Sequence, residues 1–298
     1  MTEVGTSDAV SAAGMIELST ITSLRRHVHE QRSVGRRVGL VPTMGYLHEG
    51  HLSLVDAVRQ RADLVVMTIF VNPLQFAPEE DLERYPRDLA RDRAAAGARG
   101  VDALFVPSEG DMYPPGSEIR IVPGEAGARW EGRARPTHFS GVLTVVAKLF
   151  HLVQPDVACF GQKDIQQATL IRQMVRDLNW PIEVLVAPTV READGLALSS
   201  RNVYLDPEER RQAASLSAAL AAAHQAWLRG ERRAAAIEGT MRPILERQPR
   251  VVLDYIAIAE PLAMAPVEQV DGDTVVAIAA RLGRTRLLDN IILGKGLG

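Results

Sequence analysis

Apolar, β-branched runs recur along the first two thirds of the chain, at residues 38–41, 64–71, 103–106, 157–160 and 183–187, with helically spaced stretches between most of them. A strand apolar at successive positions suits burial on both faces, the situation of a parallel sheet covered by helices. The alternation therefore predicts an α/β, Rossmann-like parallel-sheet domain over residues 15–189, with ligands gathering at the carboxyl ends of its strands. The pattern changes after Thr189. Asp206, Pro207 and Glu209 make a strong helix start, with Asp as the cap, Pro at the first helical position and a Glu reaching back from the third. An Ala-rich helix is expected from there to about residue 229, then a second over 231–247. Short strands at 251–259, 274–280 and 284–292 predict an antiparallel sheet. Residues 190–298 thus read as a smaller, lid-like α+β domain, with the boundary near 188–192, and residues 1–14, small and unpatterned, as a flexible tail.

Composition narrows the classes. Hydrophobic residues make up 46% of the 298 and charged residues 24%, the balance of a globular protein. A formal net charge of −3 argues against a general nucleic-acid partner, because binding to phosphate backbones rests on clustered excess Lys and Arg. No apolar run is long enough to span a bilayer, so no membrane partner is expected. The N-terminus lacks the layout of a signal peptide, and a single cysteine, Cys159, excludes an intrachain disulfide framework; a cytoplasmic location is the expectation.

The most informative polar cluster follows the first strand-like run. His48 and His51 lie three residues apart, on one side of a helical turn, with Gly50 between them leaving backbone open to a ligand. A helix N-terminus already favours phosphate, since its first N–H groups are unpaired and its dipole is positive there. Zinc is the weaker reading of the pair, because a metal centre needs three or four ligands and the chain has neither Cys-x-x-Cys nor His-Glu-x-x-His. Further along, Gln75 sits between apolar neighbours where a turn does not need it. Lys163, Asp164 and Gln167 open the helix after the 157–160 strand; Asp164 alone could be a cap, but the combination favours a phosphate beside a small substrate. Ser199, Ser200 and Arg201 can donate several hydrogen bonds to phosphate from a loop between the two domains. Pro explains much of the turns before Asp88 and His138, for which a structural role is the simpler reading.

Six segments in fixed order, 42–51 (PTMGYLHEGH), 69–76 (IFVNPLQF), 135–142 (RPTHFSGV), 161–167 (GQKDIQQ), 194–202 (DGLALSSRN) and 285–290 (TRLLDN), closely resemble the pantothenate synthetase, or pantoate–β-alanine ligase, family over roughly residues 36–292. Ordered motifs are far more specific than any one of them. The resemblance implies a ligase with ATP as co-substrate and Mg²⁺ as cofactor, joining pantoate and β-alanine in pantothenate biosynthesis, a precursor route to coenzyme A, and working as a homodimer. It places Met44, Gly45, Tyr46, Leu47, His48, Glu49, Gly50 and His51, then Gly161, Gln162, Lys163 and Asp164, then Val190, Leu198, Ser199, Ser200 and Arg201, around ATP, with His51 as proton donor. His48, Lys163 and the Ser199–Arg201 group join His51 as catalytic candidates, Gln75 and Gln167 hold pantoate, and no residue is assigned to the metal. Gln162 stands where many members have Glu, and Leu198 where some have Met, a volume-conserving change. Two rivals share the histidines: a nucleotidyltransferase that stops after moving AMP to a phosphorylated acceptor, and a non-catalytic nucleotide sensor.

Overall fold

A computed structural model describes residues 9–10 and 14–297. In chain order the strands and helices are β1 (Ala9–Val10), β2 (Ile16–Leu18), α1 (Ile21–Ser33), β3 (Val38–Thr43), α2 (Glu49–Arg59), β4 (Leu64–Ile69), α3 (Leu89–Ala98), β5 (Ala103–Phe105), the single-turn helices α4 (Glu109–Met112), α5 (Glu125–Ala128) and α6 (Glu131–Ala134), then α7 (His138–Val153), β6 (Val157–Gly161), α8 (Ile165–Asp177) and β7 (Glu183–Ala187). The remainder is α9 (Pro207–Ala213), α10 (Ser215–Leu228), α11 (Ala234–Glu246), β8 (Val251–Ala259), β9 (Val275–Leu282) and β10 (Thr285–Ile292).

The first sheet runs β1-β2-β5-β4-β3-β6-β7, parallel from β2 onward, with β1 added antiparallel at its edge. Ala9–Val10 therefore pair with Ile16–Glu17, within a stretch expected to be a loose tail; the rest of that expectation falls mainly on residues outside those described. Alternate residues of each strand go to opposite faces. Leu40, Val66 and Phe160 join Leu24 of α1, Val146 of α7 and Ile171 of α8 in one core layer, while Val41, Met67 and Cys159 join Val55 of α2 and Ala96 of α3 in the other. Both faces are covered, which is why the strands read as continuous apolar runs. The chain leaves β3 toward β4 and β5 on one side and returns to place β6 on the other, so the β3 and β6 carboxyl ends form the topological switch point.

The second sheet is antiparallel, in the order β10-β9-β8. Ile256, Ile278 and Ile291 pack on one face under α10 and α11, whereas Ala257, Ala277 and Val275 on the other meet Trp130 and Ile165 of the first layer system. Small alanines at those positions let the second unit approach closely over the switch point. Asp206 caps α9 as expected, accepting from Glu208 and Glu209 backbone N–H at 2.8 Å each. The single Ala-rich helix expected to about 229 is in fact two, α9 and α10, which meet at Ala214. The helix expected to begin at 231 begins at Ala234; Glu231 instead folds back on Arg233, accepting from its guanidinium at 3.1 Å and from its backbone N–H at 2.9 Å. In β8 a bulge between Leu253 and Tyr255 re-aims Asp254, which takes the Arg286 guanidinium at 2.6 Å.

Candidate active site

The segment between β3 and α2 turns sharply. Gly45 has φ +84° and Tyr46 φ 52°, and a Cβ on Gly45 would stand 2.9 Å from both the Asp92 carboxylate and Ile69. Asp92, on α3 and almost fully buried, accepts from the Tyr46 and Leu47 backbone N–H groups at 2.7 Å each and so fixes the path into α2. At the start of that helix His48 is the cap. Its Nδ1 accepts from the Gly50 N–H at 3.2 Å, and the Nδ1 of His51 accepts from the His48 N–H at 3.4 Å. With both Nδ1 atoms accepting, each neutral ring carries its proton on Nε2. The rings lie 4.0 Å apart between centroids.

Burial is the main reason both imidazoles stay neutral. The His48 pKa is lowered to about 4, by desolvation first and then by the Lys163 and Arg91 charges. That of His51 falls well below the ordinary imidazole value, through burial, His48 and Lys163. His138, at the head of α7, is lowered to about 4 by burial and Arg135. Because the unfolded chain binds protons at His48 and His138 around pH 6.5 and the folded chain only near 4, unfolding free energy should climb as pH rises from about 4 to about 6.5 and level off above. Imidazole C–H resonances of His48 and His138 titrating with midpoints near 4 in the folded protein would confirm it; midpoints near 6.5 would show the rings solvated.

A cavity of about 900 Å³ opens at the switch point and is closed from above by the second sheet. Among the expected residues, Met44, His48, Gly50, His51, Gln75, Gly161, Lys163, Asp164, Gln167, Val190, Leu198, Ser199, Ser200 and Arg201 all line it. Gly45, Tyr46, Leu47, Glu49 and Gln162 do not. The first three shape the turn that Asp92 holds, Glu49 faces outward to Arg99 at 2.6 Å, and Gln162 points to Asn290. Asp164 stands at the cap position of α8 but makes no side-chain cap bond, and its half-exposed carboxylate lies 3.6 Å from the Lys163 ammonium. Asp88, by contrast, is the cap of α3, accepting from the Arg91 N–H at 3.1 Å, as the simpler reading had it.

Several residues of the site went unassigned in the sequence. Asn72 is buried and ties the turn around Gln75 together: its amide donates to the Gln75 Oε1 at 3.0 Å and to the Gly141 carbonyl at 3.1 Å, while its Oδ1 accepts from the Tyr113 hydroxyl at 2.8 Å. Gly141 is required for that approach, since a Cβ there would lie 2.1 Å from the Leu74 carbonyl oxygen. Arg135 and His138 both donate to the Gln75 carbonyl, at 3.1 and 3.0 Å. The loop after Gln75 then returns two carboxylates to the cavity. Glu80 takes the Arg135 guanidinium bidentately at 2.6 Å, and Asp81 takes Arg201 at 3.0 and 2.9 Å. Nothing in the local pattern around 77–85 signals these pairs, because they form across 55 and 120 residues of sequence.

A parallel sheet whose switch-point cavity is lined by two neutral imidazoles, a lysine turn and a serine-arginine loop has the architecture of a nucleotide-using α/β enzyme of the Rossmann-like type. Within that class the chain belongs to the pantoate–β-alanine ligase family, whose model matches residues 17–292. It is 50% identical over 281 residues to the pantothenate synthetase of Pelotomaculum thermopropionicum, covering 94% of this chain and all of that protein, and 52% identical to that of Moorella thermoacetica, covering 93% and 98%. The crystal structure of pantothenate synthetase from Thermus thermophilus superposes with a TM-score of 0.89 at 47% identity, over 93% of this chain and 99% of that one. The Francisella tularensis pantoate–β-alanine ligase, solved with a β,γ-ATP compound and β-alanine, gives 0.77 at 33% identity, over 95% and 100%. The likeness reaches further toward the N-terminus than the six motifs do.

Proposed function

We propose that this protein condenses pantoate with β-alanine at the expense of ATP, releasing AMP and pyrophosphate, with both steps in the one cavity. A carboxylate is a poor acyl donor, so its oxygen first attacks the α-phosphorus of ATP. The bond to the β,γ-phosphates breaks and pyrophosphate leaves, giving pantoyl adenylate. The amine of β-alanine then attacks the activated carbonyl, loses a proton, and expels AMP. The observation that carries this reading is the adjacency of a cationic, N–H-rich phosphate face with a separate amide-bearing face in one cavity. On the first face, the Nε2–H groups of His48 and His51, the Lys163 ammonium and Ser199, Ser200 and Arg201 meet the growing negative charge. The donor role of His51 is then that of a neutral N–H. On the second face, Gln75 and Gln167 hold pantoate, and Phe139, Val142 and Val146 give its apolar body a wall.

Mg²⁺ is proposed to arrive with ATP. Asp164, whose half-exposed carboxylate stands beside the Lys163 turn, would be the residue to hold it, since Mg²⁺ prefers oxygen ligands and phosphate partners. Mg²⁺ would supply neutralisation of the phosphate charge there. No helix among the described residues is long and apolar enough to cross a membrane. We read residues 15–189 as the ATP- and pantoate-binding domain, 190–298 as its lid, and the working form as a cytoplasmic homodimer.

Supplied with pantoate, β-alanine, ATP and Mg²⁺, the purified protein should yield pantothenate, AMP and pyrophosphate. Formation of ADP and inorganic phosphate would instead mean an acyl-phosphate route, and ATP binding without turnover would leave a sensor. The Asp81–Arg201 pair gives a further expectation. Phosphate oxygens must compete with the Asp81 carboxylate for this guanidinium, so Asp81→Asn should tighten ATP binding by about 3–10-fold, the scale of one partly exposed ion pair. Calorimetric titration reads it; weaker binding would show that Asp81 orients Arg201 for the nucleotide.

A further inference from the structure

The 285–290 segment (TRLLDN) stands out in the sequence, yet all of it lies on β10 of the second sheet and the chemistry above leaves its polar residues without a task. The structure ties three of them, Arg286, Asp289 and Asn290, to different parts of the site. Arg286 reaches Glu131, which also lies 3.5 Å from the pocket arginine Arg135, at 2.6 and 2.7 Å. Asp289, buried, takes Arg191 at 2.6 and 2.9 Å, and Arg191 also donates to the Gly195 carbonyl, so this pair holds the 190–198 hairpin that delivers Ser199, Ser200 and Arg201. Asn290 is only 1% exposed and turns the other way along the chain. Its amide nitrogen donates to the carbonyl oxygens of Gln162 and Lys163, both at 2.8 Å, and its Oδ1 accepts from the Gln162 side chain at 3.4 Å.

We infer that Asn290 is a positioning residue for the phosphate turn, fixing the backbone of Lys163 so that its ammonium points into the cavity. The chemistry of the contact is selective. Two carbonyl oxygens only accept, so their common partner must offer two N–H bonds from one small group. A carboxamide does so; an aspartate at the same place offers none and would set its charge against two carbonyl dipoles. Asp289 and Asn290, adjacent on β10, thereby make one strand the shared support for the hairpin and the lysine turn, the two cationic arms of the site. Side chains held within a few tenths of an ångström by such supporting bonds keep a reacting geometry that looser ones lose.

The inference rests on the proposed function only for the identity of the anion, and its test separates the two. A double-mutant cycle of Asn290→Ala and Lys163→Ala is measured by calorimetric ATP titration in Mg²⁺ and by pyrophosphate release in a single turnover with pantoate. Asn290→Ala should weaken ATP binding by about 10-fold and slow pyrophosphate release by about 10–100-fold, yet change ATP affinity by no more than about 2-fold once Lys163 is already Ala. A residue that merely supports the fold would instead give equal losses in both backgrounds, and that additivity would overturn the assignment. Asn290→Ser, small and still able to donate one bond, should fall between wild type and Asn290→Ala, and carries the cycle should the alanine variant fail to fold. Failure of both to fold would also overturn it, by making Asn290 a residue of the core. Should the wild-type protein bind ATP but release no pyrophosphate with pantoate, the functional reading fails while the ATP cycle still decides the role of Asn290.

Discussion

His51→Ala and Lys163→Ala are each expected to slow pyrophosphate release from ATP and pantoate by about 10²–10³-fold, the loss that follows removal of one preorganised donor from developing negative charge. The two act by different physics. Lys163 brings its ammonium to within 3.6 Å of Asp164, just past the carboxyl end of β6, on the turn whose carbonyls Asn290 holds. His51 brings no charge at all at neutral pH, because burial and the neighbouring His48 and Lys163 hold its proton affinity down. Its contribution is a fixed N–H aimed by the His48 backbone bond. The loss in Lys163→Ala should therefore shrink as salt screens the site, while that in His51→Ala should be nearly insensitive to salt. Rates from rapid quench, with thermal melts to show that each variant is folded, read both; a folded variant with a near-normal rate would remove that residue from the charge-stabilising set.

The parts of this site that the chain announces are those whose chemistry is local. His48, Gly50 and His51 sit on one helical turn directly after a strand, and Lys163 and Asp164 repeat the arrangement after β6, so spacing marks both as candidates and the six ordered motifs of the family join them into one site. The parallel sheet was legible for the same reason, its strands being buried on both faces and hence apolar at successive positions. What stayed hidden depends on tertiary approach. Asp92 looks like any acidic residue in a first helical turn, where the dipole already favours it, and only the folded chain shows it accepting two backbone N–H groups from 46 and 45 residues away. Glu80 and Asp81 lie in a loop of turn-forming residues, and their guanidinium partners come from other parts of the fold. The break at Ala214 was hidden too, since an alanine-rich stretch carries no helix-stop signal.

Gln75→Ala and Gln167→Ala should each weaken adenylate formation by about 5–150-fold while leaving the dissociation constant for ATP alone nearly unchanged, the range set by roughly 1–3 kcal/mol for a buried hydrogen-bond partner lost. An uncharged carboxamide can meet the hydroxyls and carboxylate of pantoate without competing for the phosphates or the metal. The two glutamines nonetheless differ in how they are held. Gln75 rests in the turn at Pro73–Gln75, its Oε1 accepting from Asn72 and its amide 3.1 Å from the Met44 sulfur, so removing it also strips a partner from a buried asparagine. Gln167 extends from the first turn of α8 into the cavity with no protein hydrogen-bond partner among the described residues, whereas its neighbour Gln166 is buried and bonded to Ala126, Arg129 and Glu131. Gln75→Ala should accordingly cost about 1 kcal/mol of folding stability and Gln167→Ala almost none, though both impair the pantoate step. Urea titration beside direct ATP titration and single-turnover adenylation separates these effects. A large loss of ATP affinity in either variant would move that glutamine from the pantoate face to the nucleotide face of the cavity.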